Sequence, residues 1–479
     1  LLDWLYRALR QAVLDGRLPA GVVLPGTRAL AQQLDVARGT VQGAYRQLQS
    51  EGYLETRAGS STRVCATLPD LTWRAPAAEP RALLPDAQPP APSGTLLASV
   101  VGLPSPFPAL AQADLMPFFP HRCDVDAFPI DVWRKLYARQ LRASRRHILL
   151  DTDVAGLPGL RAAIACHLGF ARGVSVSPDQ IVVLSSVQQG LDLCMRLLVA
   201  PGEQVWMEDP GYPGARQAML AAGARVVDVP VDPDGLCVEQ AIQAAPNARL
   251  AYVTPTRQAP LGVALSPARR HALLQWARER GACIFEDDYD SEYRFVGKPI
   301  PALRSLPGSA QHVVLAGTFS KLLFPAIRLA FVVLPDHLVS PFVRALSLTA
   351  RHTNRLAQAV LADFIEEGHF DRHVLRMRRL YASRADAFVA AARQHWAGLF
   401  DVPVPHAGLD LVAPLVAHEE ADAMQRLASA GIAAMPLQHY RGSTDYPPAL
   451  VLGYASFTEA AIDAGVRRMA AALRAGRPR

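Results

Sequence analysis

Lysine is scarce in this 479-residue chain: it stands at 135, 298 and 321, and every other long basic side chain is arginine. One of the three sits in Gly317-Thr318-Phe319-Ser320-Lys321-Leu322-Leu323-Phe324-Pro325-Ala326-Ile327-Arg328. An amine that condenses with an aldehyde has to be lysine, because arginine stays protonated and is a poor nucleophile. Thr318 and Ser320 precede Lys321 within three residues, and Arg328 follows seven residues later. Two hydroxyls and a guanidinium fork suit a phosphate dianion. Alone, the stretch also reads as a surface turn.

The segments upstream add the rest of a site. Ile181-Val182-Val183-Leu184 is a buried-strand pattern that runs through Ser185-Ser186-Val187-Gln188 into a helical one. A strand feeding a helix start offers unpaired N–H groups to an anion. Gln204-Val205-Trp206-Met207 leads to Glu208-Asp209-Pro210-Gly211-Tyr212, whose aromatic could lie flat on a ring or serve only the turn. Cys283-Ile284-Phe285 leads to Glu286-Asp287-Asp288-Tyr289-Asp290. Four acids in five residues at a strand end are costly unless some meet a cation. Asp287 could keep a pyridine nitrogen protonated and Tyr289 could reach the ring's 3-oxygen. Magnesium is the rival cation for such acids. Each polar piece follows a strand, so all should face one crevice at the carboxyl ends of a mostly parallel α/β sheet. A phosphate clamp, a stacking aromatic, an acid and an imine-forming lysine are together what pyridoxal 5'-phosphate requires.

The length calls for two or three domains. Half the residues are hydrophobic, 19% are charged, and the net charge is +6. The six cysteines are scattered without a Cys-x-x-Cys pair, and no long apolar run or leader pattern occurs. These features fit a reducing cytoplasm and assign no metal site.

Residues 1–65 are expected to form a separate module. Leu2, Leu5, Leu9 and Val13 recur at helical spacing up to Gly16. Thr27 is expected to cap a second helix, and a third should run from Arg38 to Gly52. Two short strands around Ala58-Gly59-Ser60-Ser61 complete a winged helix-turn-helix. In such a module Arg38, Thr40 and Gln42 lead into the DNA major groove, Arg28 holds the backbone and Gly59 forms the wing tip. A helical protein-binding module shows the same apolar pattern. Eight arginines against five acids in this stretch suit a polyanion. Residues 66–120, rich in Pro and Ala, read as an extended linker, leaving 121–479 for the large domain.

Leu24-Pro25-Gly26-Thr27-Arg28-Ala29-Leu30-Ala31 and Arg38-Gly39-Thr40-Val41, continued by Ala44-Tyr45, Leu48 and Glu51-Gly52-Tyr53-Leu54, resemble the DNA-binding domain of GntR-type repressors. Residues 121–479 resemble the fold type I aminotransferases. The combination, with Glu208-Asp209-Pro210-Gly211-Tyr212, Glu286-Asp287-Asp288-Tyr289-Asp290 and Gly317-Thr318-Phe319-Ser320-Lys321, is similar to the MocR family of regulators. The resemblance implies that Lys321 forms an imine with pyridoxal 5'-phosphate, Asp287 pairs with the pyridine nitrogen, Tyr289 with the 3-oxygen, and Tyr212 stacks. Ser186, Val187, Gln188, Thr318, Ser320 and Arg328 would hold the phosphate. It also implies a homodimer, an operator DNA, and a small-molecule effector, either the cofactor or its adduct with an amine.

Three departures stand out. The wing reads Gly59-Ser60-Ser61-Thr62 rather than Gly-Ser-Gly-Thr. Arg257 and Ala259 occupy a loop in which relatives carry other residues; Arg257 could take over a polar contact near the ring, but an outward surface arginine is the favoured reading. Val451 replaces the arginine that grips a substrate carboxylate in aminotransferases, with Arg441 as a distant substitute. Efficient transamination of amino acids is therefore not expected, although an active aminotransferase with a vestigial head is the alternative.

Overall fold

A computed structural model describes residues 1–56, 61–66, 118–143, 150 and 153–475. The chain divides into two compact units, Leu1–Pro92 and Ser93–Arg479. Most of the expected linker and the wing tip Gly59 lie outside the described residues.

In the first unit α1 (Leu2–Leu14), α2 (Thr27–Gln33) and α3 (Arg38–Ser50) precede a hairpin of β1 (Leu54–Thr56) and β2 (Thr62–Val64). Val41, Ala44, Tyr45 and Leu48 of α3 fall at helical spacing and are all buried, joined by Leu5, Val13 and Leu30. The Tyr45 hydroxyl donates to the Pro25 carbonyl at 2.9 Å, fixing the turn ahead of α2. Asp35 takes φ +51° at the corner between α2 and α3, a conformation that Asp tolerates better than most residues. One expectation changes: Gly26, not Thr27, is the N-cap of α2, and no side chain caps that helix.

The second unit alternates strand and helix. In order, α4 (Ile130–Ala143) and α5 (Pro158–Arg172) precede β3 (Ile181–Leu184), α6 (Val187–Leu198), β4 (Gln204–Asp209), α7 (Pro213–Ala221), β5 (Arg225–Asp232) and β6 (Gly235–Leu236). Next come α8 (Val238–Ala244), β7 (Leu250–Val253), α9 (Pro267–Arg280), β8 (Cys283–Asp288), β9 (Val313–Thr318) and β10 (Ala330–Val333). The main sheet runs β3-β10-β9-β8-β7-β4-β5-β6, parallel from β9 through β5, with β10 and β6 reversed. Alternation of side chains splits its core in two. Val182 and Leu184 join α6, α7 and the first helix after the sheet, whereas Ile181 and Val183 join the apolar faces of α5 and the remaining helices that follow the sheet.

Those later elements are α10 (Asp336–Thr349), α11 (Arg355–Glu366), α12 (His369–His395), β11 (Asp410–Pro414), α13 (Glu420–Ser429), β12 (Met435–Pro436), β13 (Ala449–Gly453) and α14 (Glu459–Arg474). The order β11-β13-β12 makes a small antiparallel sheet. Phe118 is fully buried beside Phe388, and its carbonyl accepts from Gly453 N–H, so the large unit's core already includes this residue. Among the described residues no helix is long and apolar enough to cross a membrane.

Candidate functional site

Because β4, β7, β8 and β9 are parallel, Asp209, Val253, Asp288 and Thr318 all lie at one edge of the sheet. The residues singled out from sequence follow these strand ends. Lys321 sits just past β9, half-buried, and its Nζ donates to the His121 carbonyl at 2.7 Å. Burial lowers its pKa, which raises the neutral fraction of the amine; the charge of Asp410 opposes this. Neutral amine is the form that attacks a carbonyl.

Asp287 belongs to the strand next to Lys321's, paired in register with Ala316. Its Oδ2 accepts from the Tyr252 hydroxyl at 2.7 Å, while Oδ1 is buried with no hydrogen-bond partner. Burial pushes this carboxyl up to about 7. An acceptor oxygen left alone in a dry site is expensive and suits a ligand N–H. A protonated pyridine nitrogen supplies one, so this residue fits the expected cofactor.

The four acids after Phe285 divide by function. Glu286 accepts from the Leu303 and Arg304 amides at 2.7 and 2.8 Å, and Asp288 pairs with Arg172 at 2.6 Å. Asp290 pairs with Arg257 at 3.0 Å. Asp287 and Asp290 each keep a buried oxygen that meets nothing, but Asp290 is ion-paired with Arg257, whereas the bonded oxygen of Asp287 meets only the Tyr252 hydroxyl.

Arg257 corrects the expectation of an outward side chain. It is buried; Nη1 donates to the Tyr289 hydroxyl at 2.7 Å and to Asp290, and Nη2 to the carbonyl and carboxylate of Asp410 at 2.7 and 2.8 Å. The Tyr289 oxygen thus accepts from Arg257 and keeps its own proton to give. Burial raises the Tyr289 pKa well above the usual phenol value, so it remains a donor. Burial would also raise Asp410, but His121 and Arg257 hold that carboxyl well below its usual range.

Tyr212 stands half-buried at the start of α7, close enough to Asp287 for that charge to add to the rise in its pKa, which burial dominates. A Cβ at Gly214 would lie 2.6 Å from the Tyr212 hydroxyl and 2.7 Å from Gln188 Oε1, so the ring's position needs glycine there. Ser186 caps α6 by accepting from Gln189 N–H at 3.1 Å. The first-turn amides of Val187 and Gln188 have no acceptor within the helix. The Gln188 amide donates to the Gly214 carbonyl, which ties α6 to the Tyr212 turn. Thr318 Oγ1 accepts from Ser320 N–H at 3.1 Å, holding the Lys321 loop. Arg328 is exposed at φ +48°, and a cavity of ≈ 400 Å³ joins it to Ser185 and Gln189 at the α6 start.

In the first unit Arg28, Arg38 and Gln42 are exposed and Thr40 is half-buried, all on α2 and α3. Arg38 Nε lies 3.5 Å from Thr27 Oγ1.

Sequence reasoning missed four residues. His121, at φ +62°, sets its ring between Asp410 Oδ2 (2.5 Å) and the Tyr440 hydroxyl (2.7 Å). Tyr252 holds Asp287. For Tyr252 a signal existed, a hydroxyl inside an otherwise apolar strand. His121, Asp410 and Tyr440 come from distant segments with no shared pattern.

Comparison with known proteins agrees with both units. Residues 2–64 match the bacterial regulatory proteins of the gntR family, and residues 123–469 match aminotransferase class I and II. The probable rhizopine catabolism regulatory protein MocR of Rhizobium meliloti is 38% identical over 98% of this chain and 93% of its own length. The HTH-type pyridoxine biosynthesis transcriptional regulator PdxR of Corynebacterium glutamicum is 32% identical over 94% and 91%. Among solved structures, the α-aminoadipate aminotransferase LysN of Thermus thermophilus, complexed with N-(5'-phosphopyridoxyl)-L-leucine, superposes with TM-score 0.69 at 28% identity. That match covers 75% of this chain and 92% of the enzyme.

Proposed function

This chain belongs to the MocR-type transcriptional regulators, a gntR-family head joined to a class I and II aminotransferase domain, and we propose that it senses pyridoxal 5'-phosphate, or that cofactor with an amine, and reports the state of the site to operator DNA. The supporting observation is a half-buried lysine amine and a buried carboxylate with an unpartnered oxygen on adjacent strands of one crevice. Pyridoxal 5'-phosphate is the cofactor of such a site, and it supplies an aldehyde and an electron-withdrawing ring. Lys321 offers the amine, Asp287 an acceptor for the ring N–H, Tyr289 a donor for the ring oxygen, and Tyr212 a flat face. The start of α6, Thr318, Ser320 and Arg328 offer donors to the phosphate. Arg28, Arg38, Thr40, Gln42 and Gly59 of the head serve the DNA.

A ligand changes DNA affinity only by binding two arrangements of the protein unequally. The Lys321–His121 bond is one contact that cofactor attachment at Nζ would alter. Two heads in a homodimer would suit paired half-sites. We place the protein in the cytoplasm, where DNA and cofactor are both present. Transaminase turnover is at most weak in this reading, because Val451 lies buried in β13 opposite Val412 and Arg441 closes its own loop onto Thr444, Asp445 and Tyr446.

The test is an absorbance titration of the full chain with pyridoxal 5'-phosphate, followed by a footprint on the DNA flanking its gene. A visible band near ~420 nm that survives dialysis, is bleached by borohydride and is absent from Lys321→Ala is expected. A colourless protein, or a footprint equally strong with and without cofactor, overturns the proposal.

A further inference from the structure

We propose that the small molecule recognised beside the cofactor is a primary amine that carries no carboxylate. This rests on the preceding reading of the crevice and narrows the ligand class within it.

The argument is a count of donors. A carboxylate in a low-dielectric site needs charge-assisted hydrogen bonds, and a guanidinium fork is the usual source. Arg257 is the guanidinium beside Tyr289, and it has five N–H donors. Its four terminal hydrogens are matched by Tyr289, Asp290 and the two oxygens of Asp410. Its fifth, on Nε, lies against Gly408, where even a Cβ would come within 2.2 Å. No carboxylate can reach this group without displacing Asp290 or Asp410.

Among the described residues the other candidates considered are engaged elsewhere. Val451 has no donor, and its side chain packs with Leu437 and Tyr440. Arg441 bonds two carbonyls and one carboxylate of its own loop. Arg122 lies over the Phe119 ring at 5.4 Å. Arg328 and the start of α6 are the groups assigned to the phosphate. Asp410 instead lies near enough for its charge to act on Lys321, and His121 and Arg257 keep it ionised. A fixed anion there repels a second carboxylate and attracts an ammonium.

The experiment loads the full chain with pyridoxal 5'-phosphate and compares matched pairs by calorimetry and by the change in the visible band. Ethylamine is set against β-alanine, propylamine against γ-aminobutyrate, and ethanolamine against L-serine. Each amine is expected to bind on the order of tenfold more tightly than its carboxylate partner. Asp410→Asn should narrow that gap, by relieving the repulsion. Equal or tighter binding of the amino acids overturns the inference. So does an unchanged gap in a folded Asp410→Asn protein. If Arg122→Ala removes an advantage shown by amino acids, Arg122 is a carboxylate grip and the inference also falls. Failure to form the visible band at the outset would instead overturn the cofactor reading itself, so the two failures are distinct.

Discussion

On α3, Arg38 and Gln42 stand in solvent, whereas in the large unit Asp287, Asp290, Arg257 and Asp410 are buried and interlocked. Exposed side chains keep their charge at almost no cost and can be exchanged without disturbing the fold. Buried ones hold their charge only through partners, and each partner lost leaves a desolvated ion. The head is therefore built to be read by something outside it. The crevice is built to keep a few polar atoms in position, Asp287 Oδ1 among those left unsatisfied. Substitutions should then affect binding alone in the head, but binding and stability together in the crevice.

The largest effect that sharpens this contrast is Lys321→Ala. The visible band should vanish altogether, because neither of the other lysines, Lys135 and Lys298, follows a strand of the crevice edge. Spectrophotometry after dialysis, without borohydride, checks it, and a surviving band would place the attachment elsewhere.

Arg257→Leu comes next. It strips a cation from Asp290 and Asp410 together, and breaking a buried pair costs about 3–5 kcal/mol. Burial already raises Asp290 to about 7, so this acid can protonate and soften the loss below that pH. Calorimetric unfolding should show a large drop in Tm at pH 8 and a smaller one at pH 5. A drop independent of pH would mean that packing, not the unpaired acids, sets the cost.

Asp287→Asn tests the unsatisfied atom. The folded carboxyl sits near about 7 and its unfolded counterpart near about 4. The folded protein thus holds this proton more tightly. Stability contributed below pH ~4 is lost as pH rises toward ~7 and stays lost above it, by on the order of 2–4 kcal/mol. Without cofactor, the variant should be more stable than the parent at pH 8, with the advantage shrinking toward pH 4. With cofactor the order should reverse, since asparagine is a poor partner for a pyridinium. Thermal unfolding with and without pyridoxal 5'-phosphate decides it.

How far the chain could be read from its sequence follows the same division. The head was legible because its information is local: Val41, Ala44, Tyr45 and Leu48 repeat at helical spacing, and Arg38 and Gln42 fall in the exposed first turns of the same helix. The parallel sheet and Lys321, Asp287, Tyr289 and Tyr212 were legible for a similar reason, since each polar group directly follows an apolar strand. Thr27 was mistaken for a cap because its type favours that position, while the backbone places Gly26 there. Arg257 was misread because arginine is usually exposed, and its burial depends on Asp410, which arrives from 153 residues away. His121 and Tyr440 were missed for that reason too. Their roles exist only once the segment near 120, the main sheet and the small sheet have come together.

Arg38→Ala is the smallest effect and the most exacting for the comparison. Arg38 opens α3, is exposed, and has one weak neighbour in Thr27 at 3.5 Å. If it meets a base edge, its loss should weaken operator binding by about 1–3 kcal/mol and relax preference at one position. If it meets phosphate, affinity should fall evenly across sequences and the salt dependence should flatten by about one counterion. Titrating parent and variant against operator and scrambled DNA at several salt concentrations separates these outcomes. In both, unfolding stability should stay within about 0.5 kcal/mol of the parent and the cofactor band should be unchanged. A stability loss like that of Arg257→Leu would mean that the arginine supports the head's fold, and the division between an outward-reading head and an inward-holding crevice would no longer stand.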